Sequence, residues 1–202
     1  TKEKINDFLS AHGSKAVIEN GYGLTEASGG FIFSPRNIAT DPDAIGYPLP
    51  DNEVLILDIH THEPVPIGED GEIVVRGMSV MKRYLGKPKE TEEAFVQVGR
   101  KKYLRTGDIG YLDKDGVVHF RSRLKRMIIS SGYNIYPTHL ESIINSHEGV
   151  LTSTVIGIDH HYKGQVPKAF IVLKPGYKPG KRIEREIREL LERNVPVYAL
   201  PV

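Results

Sequence analysis

"RSRLKRMIISSGYNIYPTHLES", residues 121–142, sets the architecture of the chain. Its first six positions hold four cations, Arg121, Arg123, Lys125 and Arg126, with no proline or glycine among them. A connection so short and charged is a hinge rather than a floppy linker. The patterns on its two sides differ. Before it, from about residue 45, run short alternating segments: EVLILDI, GEIVVRG, KYLRTGD and GVVHFRS, with Asp70-Gly71 and Asp115-Gly116 as hairpin turn signals. After it come a strand in RMIIS, a helix near residues 138–147 with Pro137 at its first position, strands near TSTVIGID and KAFIVLKP, and a last helix. In that helix Ile183, Ile187, Leu190 and Leu191 form the apolar stripe of a helix packed on a sheet.

At the start of the chain, Ile5, Phe8 and Leu9 share a helical face, Gly13 is a stop, and KAVIE reads as a short strand. The expected fold class is therefore α/β and α+β. The end of a β/α layer (1–44) and a small distorted β-barrel subdomain (45–124) precede a hinge and a small α+β domain (125–202).

Composition narrows the function classes. With 202 residues, 39% of them hydrophobic, the chain can build a real core. Lys plus Arg (27) nearly balances Asp plus Glu (26), so no global field marks a nucleic-acid binder, and the basic run at 121–126 lacks interleaved aromatics. There is no cysteine, which excludes disulfides and thiolate chemistry and agrees with an expected cytoplasmic location. No apolar run is long enough to span a bilayer, and TKEKINDFLSAHG is not a signal peptide, although a targeting segment upstream stays open.

Three short segments carry chemistry. In ENGYGLTEASGG, residues 19–30, Gly21 and Gly23 let backbone approach a planar ligand beside Tyr22. Thr25 can donate to a phosphate and Glu26 can coordinate a hard cation. The same residues also read as an ordinary turn with a helix-capping threonine. In YLRTGDIGYLDKDG, residues 103–116, a strand ends in Thr106-Gly107-Asp108 before another begins. A carboxylate on such a turn can accept hydrogen bonds from vicinal ribose hydroxyls, or it can be the Asp of a plain hairpin loop. SSGYNIYP is a further glycine break, suited to close passage of a ligand or to a strand-to-helix turn. The histidines lack zinc spacing, and no Gly-x-Ser-x-Gly elbow, Walker sequence or dinucleotide fingerprint occurs.

Taken in order, these segments resemble one family, the AMP-forming adenylating enzymes, in its acyl-CoA synthetase branch. The family pattern YGxTE is matched by Tyr22 to Glu26, and the GE-to-YxxxPexTxexF pattern by Gly71-Glu72, Gly77, Tyr84, Pro88, Thr91 and Phe95. Thr106-Gly107-Asp108 matches its TGD, and Arg123 to Glu141 matches its GRxKxxIxxxGxxIxPxxxE. The resemblance implies that Gly21, Tyr22 and Gly23 line the adenine and acyl pocket, that Thr25 contacts phosphate, and that Glu26 helps bind magnesium. It implies that Asp108 holds the ribose hydroxyls, with Phe120 and Arg123 close to the same nucleotide. Lys125 falls on the hinge about which the small C-terminal domain rotates, and Ser131, Gly132 and Tyr133 line the path of CoA. The implied activity joins a carboxylic acid to ATP as an acyl-adenylate, then to CoA, with ATP/AMP, Mg2+ and CoA as cofactors.

Some positions depart from the family pattern. Arg83 and Ser122 stand where it has glycine, and Arg126 where an acidic residue is frequent. The resemblance also leads us to expect a C-terminal portion of a longer ligase, without the upstream phosphate loop and the downstream catalytic lysine, and inactive alone. Two other readings stay open: a non-catalytic nucleotide- or CoA-binding module, and a fragment of a peptide-synthetase adenylation domain, which IISSGYNIYP resembles less.

Overall fold

The computed structural model describes residues 2–19, 21–35 and 43–202, so Asn20 within the ENGYGLTEASGG segment and residues 36–42 of the expected β/α remnant lie outside the described residues. The chain divides into two compact units, residues 1–120 and 121–202.

The first unit opens with helix α1 (Lys2–Ala11), which stops at Gly13 in the left-handed region. KAVIE forms no ladder; Asn6 of α1 instead holds this extended segment by accepting the Ile18 N–H at 2.8 Å. Strands β1 (Gly21–Leu24), β2 (Gly29–Phe33), β3 (Ala44–Pro48), β4 (Glu53–Leu57) and β5 (Gly71–Arg76) follow. After them come a short helix α2 (Pro88–Glu93) and strands β6 (Phe95–Val98), β7 (Lys101–Leu112) and β8 (Val118–Arg123), the last of which runs on into the second unit from residue 121. They make one antiparallel sheet in the order β1-β2-β3-β8-β7-β5-β4, with β6 paired to β7 off that path. Because β1 and β4 lie at opposite ends of the order, the sheet is open, and the barrel expected over 45–124 does not close.

Strand β5 is packed on both faces. Ile73 and Val75 face a core with Phe31, Ile32, Leu104 and Val118, while Val74 faces Leu57 and Tyr103 on the other side. All three are fully buried, so a strand covered on both faces reads as a continuous apolar run. Asp70-Gly71 does not turn a tight hairpin: residues 58–70 form a longer loop, and Gly71 starts β5 where a Cβ would strike the Leu57 carbonyl. The tight hairpin lies instead at Gly99-Arg100, between β6 and β7.

The second unit contains β9 (Ile128–Ser130), β10 (Tyr133–Ile135), helix α3 (Pro137–Asn145), β11 (Val150–His160), β12 (Gly164–Leu173) and helix α4 (Lys181–Glu192). Its sheet runs β10-β9-β12-β11, and Ile128, Leu140, Ile144, Val155, Ile187 and Leu191 form the core between sheet and helices. SSGYNIYP is more structured than a plain strand-to-helix turn. Ser131 (φ 51°) and Gly132 (φ 83°) both sit left-handed between the paired residues Ser130 and Tyr133, the signature of a type I′ hairpin.

Candidate nucleotide site

The glycine-rich stretch 21–30 is itself a hairpin of β1 and β2, joined by a single 3₁₀ turn, Thr25–Ala27. Its ladder shifts between Tyr22 and Gly23, and it borders an open concavity of about 630 Å³ lined by Gly21 to Thr25 and Ser28 to Gly30. A Cβ at Gly23 would run into the Gly29 carbonyl and the Gly30 Cα, so the close approach of these two backbones requires glycine. Thr25 is exposed, and no side-chain cap bond supports the helix-capping reading.

Glu26 is fixed from both ends. Its carbonyl accepts the Met81 N–H at 2.7 Å and its Oε1 accepts the Tyr84 hydroxyl at 2.7 Å. Tyr84 is in turn held through its own N–H, which donates to Thr91 Oγ1 at 3.0 Å. The bond to Glu26, with burial adding to it, raises the Tyr84 phenol above its usual pKa. Among the described residues no group of three or more His, Cys, Asp or Glu side chains gathers as for a metal cage. Glu26 supplies one carboxylate, which suits magnesium, a cation that keeps waters and substrate phosphates as its other ligands.

Thr106-Gly107-Asp108 does not end a strand. Val74 pairs with Arg105 and Glu72 with Ile109, so one residue of β5 faces three of β7, and the triplet is a bulge inside a continuous twelve-residue strand. Gly107 takes φ 69° within it. Neighbouring residues of β5 fasten the bulge: the Ile73 carbonyl accepts Thr106 Oγ1 at 2.7 Å, and Glu72 Oε1 accepts the Gly107 N–H at 3.2 Å. Glu72 Oε2 receives both Nε (2.9 Å) and Nη2 (2.7 Å) of Arg105. Thr106 Oγ1 also accepts the Asp108 N–H at 3.1 Å. The Asp108 side chain is fully buried, and its Oδ2 accepts the Tyr22 hydroxyl at 2.5 Å. Residues 86 positions apart are thus brought together, and Tyr22 packs edge-on against Phe31.

Phe120 is half-buried in β8, with its N–H donating to the Asp43 carbonyl at 2.8 Å. The other expected site residues belong to the second unit. Arg123 and Lys125 are exposed at the 3₁₀ turn Leu124–Arg126. Ser131 and Gly132 form the hairpin tip, and the Tyr133 ring stacks on Tyr198 at 4.3 Å. Two of the unusual positions are integrated locally. Arg126 pairs with Glu141 at 2.5 Å, while Glu141 also accepts the Val155 N–H at 2.8 Å. Ser122, with no exposed surface, bonds Thr138 Oγ1 at 3.3 Å.

Sequence reasoning missed Glu72 and Arg105 as parts of this site, and Tyr84 as the partner of Glu26. A carboxylate next to an apolar strand run was the available signal for Glu72, but its counter-ion lies 33 residues along the chain.

The chain matches the family model for AMP-binding enzymes over residues 2–85 and that for the AMP-binding enzyme C-terminal domain over residues 139–202. It is 40% identical over 175 residues to a long-chain-fatty-acid–CoA ligase of Bacillus subtilis, covering 85% of this chain and 30% of that protein. It is 32% identical over 200 residues to 4-coumarate–CoA ligase 1 of Glycine max, covering 97% and 67%. Among solved structures it resembles ATP-bound MatB from Rhodopseudomonas palustris (TM-score 0.82, 29% identity, 93% of this chain and 36% of that one). It also resembles o-succinylbenzoate CoA synthetase of Bacillus subtilis in complex with its acyl-adenylate intermediate (TM-score 0.82, 30% identity, 98% and 39%). The chain therefore spans about a third of the length of most of these relatives and two thirds of the soybean ligase.

Proposed function

The chain belongs to the AMP-binding enzymes, and from that membership and its likeness to the Bacillus subtilis and Glycine max CoA ligases we propose that it supplies the adenosine-binding wall of an ATP-dependent ligase that makes acyl-CoA. The protein containing it joins a carboxylic acid to the α-phosphate of ATP, releasing pyrophosphate, and passes the acyl group to the CoA thiol with release of AMP. The acid is a fatty or other acyl carboxylate, and the reaction runs in the cytoplasm, where ATP and CoA are supplied.

The observation that carries this reading is the bond from the Tyr22 hydroxyl to Asp108 Oδ2, beside the glycine shelf. It pairs an aromatic face with a carboxylate acceptor, the two groups a nucleoside needs for base and ribose. Because Asp108 has no exposed surface, a ribose hydroxyl reaches it by taking over the hydrogen bond that Tyr22 makes in the free protein. Thr25 faces the phosphates. Glu26, oriented by Tyr84, would hold magnesium, which when bound supplies positive charge against the phosphates. In the second unit, the family resemblance assigns Arg123 to nucleotide binding, Lys125 to the hinge, and Ser131, Gly132 and Tyr133 to the CoA path.

Acid-dependent exchange of labelled pyrophosphate into ATP, measured with the product of the complete reading frame, tests the proposal. Exchange that needs an acid and falls at least a hundredfold in Asp108→Ala supports it. Nucleotide binding without exchange for any acid would instead make the protein a binding module.

A further inference from the structure

We propose that Glu72 and Arg105 act as a positioning pair that sets the ribose specificity of the site by holding the Thr106-Gly107-Asp108 bulge in shape. This rests on the reading of Asp108 as the ribose acceptor and adds residues that make no contact with a ligand themselves.

The geometry points from β5 to the bulge along two lines. Glu72 and Ile73 are consecutive, yet both reach across to the same triplet, one through its side chain to the Gly107 N–H and the other through its carbonyl to Thr106 Oγ1. Between the flanking pairs Val74–Arg105 and Glu72–Ile109, the three bulge residues have a single residue opposite them, so these two bonds replace the missing ladder. The Glu72 side chain is 3% exposed and that of Arg105 is 28% exposed. A charge buried to that depth costs free energy unless it is fully paired, and Glu72 is paired on both oxygens: Oε2 by the Arg105 fork, Oε1 by the backbone it steadies. Both Arg105 donors anchor Oε2, which leaves Oε1 to accept the Gly107 N–H. Asp108 follows directly, with its N–H on Thr106 Oγ1, so its carboxylate direction is set by the same staples. At the end of the bulge Asp108 lies against Tyr22, whose hydroxyl its Oδ2 accepts.

Acceptance of vicinal hydroxyls is directional, so a loosened bulge loses discrimination before it loses nucleotide binding altogether. The test is the ratio of affinities for AMP and 2′-deoxy-AMP, measured by calorimetry on the wild-type protein, Glu72→Gln, Thr106→Val and Asp108→Asn, with melting curves to establish folding. Glu72→Gln keeps the shape but sets an amide against the Arg105 fork, and Thr106→Val removes the second staple without changing volume. We expect both to lower the preference for AMP over 2′-deoxy-AMP by about tenfold, with a smaller loss for 2′-deoxy-AMP, which keeps only the 3′-hydroxyl to meet Asp108. Loss of binding to both ligands in equal proportion would mark the pair as merely structural and overturn the proposal, as would an unchanged ratio in folded variants. If Glu72→Gln does not fold, the ratio in Thr106→Val decides. An unchanged ratio in Asp108→Asn would instead overturn the ribose reading beneath it, and with it this inference.

Discussion

Replacing Tyr22 with phenylalanine removes one oxygen and leaves the ring, with its edge contact to Phe31, in place. What is lost is the hydrogen bond to Asp108 Oδ2, 2.5 Å long and made to a carboxylate with no exposed surface. A neutral donor on a charged, buried acceptor contributes about 1.5–3 kcal/mol. Urea denaturation followed by circular dichroism should show the first unit destabilised by that amount with an unchanged slope. The variant should also bind AMP more tightly, since the wild-type protein must give up the Tyr22 bond before ribose hydroxyls reach Asp108. Recovering about 1.4 kcal/mol of that cost corresponds to about tenfold in affinity. Calorimetric titration with AMP reads this directly. Weaker AMP binding by Tyr22→Phe would show that the hydroxyl serves the ligand rather than competing with it, and destabilisation below about 0.5 kcal/mol would refute the energetic role assigned to the bond.

Other substitutions probe the surroundings. Gly23→Ala places a methyl against the Gly29 and Gly30 backbone, so it should cost about 1–3 kcal/mol and weaken AMP binding, measured by melting and titration; a neutral result would show that β1 and β2 can part freely. Burial, then the neighbouring Glu53 carboxylate, pushes the Tyr103 phenol up to about 12. Its folded pKa lies above the ordinary value of about 10, so its contribution is complete below pH ~10 and is lost as pH rises toward 12. Alkaline denaturation of Tyr103→Phe should therefore decline less steeply over that window than the wild type, and parallel curves would refute this. In the second unit, Ile144→Ala empties a fully buried site between α3 and the sheet and should cost about 2–5 kcal/mol in urea denaturation.

Elements governed by local pattern were legible in the sequence. The stripe of α4, Pro137 at the start of α3 and the apolar run of β5 each follow from residues within one element. Features set by neighbours distant in the chain were not. KAVIE has the residues of a strand but no ladder to join among the described residues, and Thr-Gly-Asp chemistry is the same in a hairpin loop and in a bulge. The open sheet depends on which strands lie at its ends, information no single segment carries. At the candidate site, Tyr22, Glu26 and Asp108 stood out by residue type and spacing. The side chains bonded at or beside two of them, Glu72 at Gly107 and Tyr84 at Glu26, became visible only as partners 35 and 58 positions away.

The central claim is that this chain forms part of an acid–CoA ligase, and the most direct measurement is product stoichiometry. The product of the complete reading frame should be incubated with ATP, CoA and a panel of fatty and aromatic acids while AMP, ADP, pyrophosphate and thioester are quantified together. The account predicts equal amounts of AMP, pyrophosphate and acyl-CoA with one class of acid. ADP with phosphate, or AMP and pyrophosphate formed without any thioester, would contradict it.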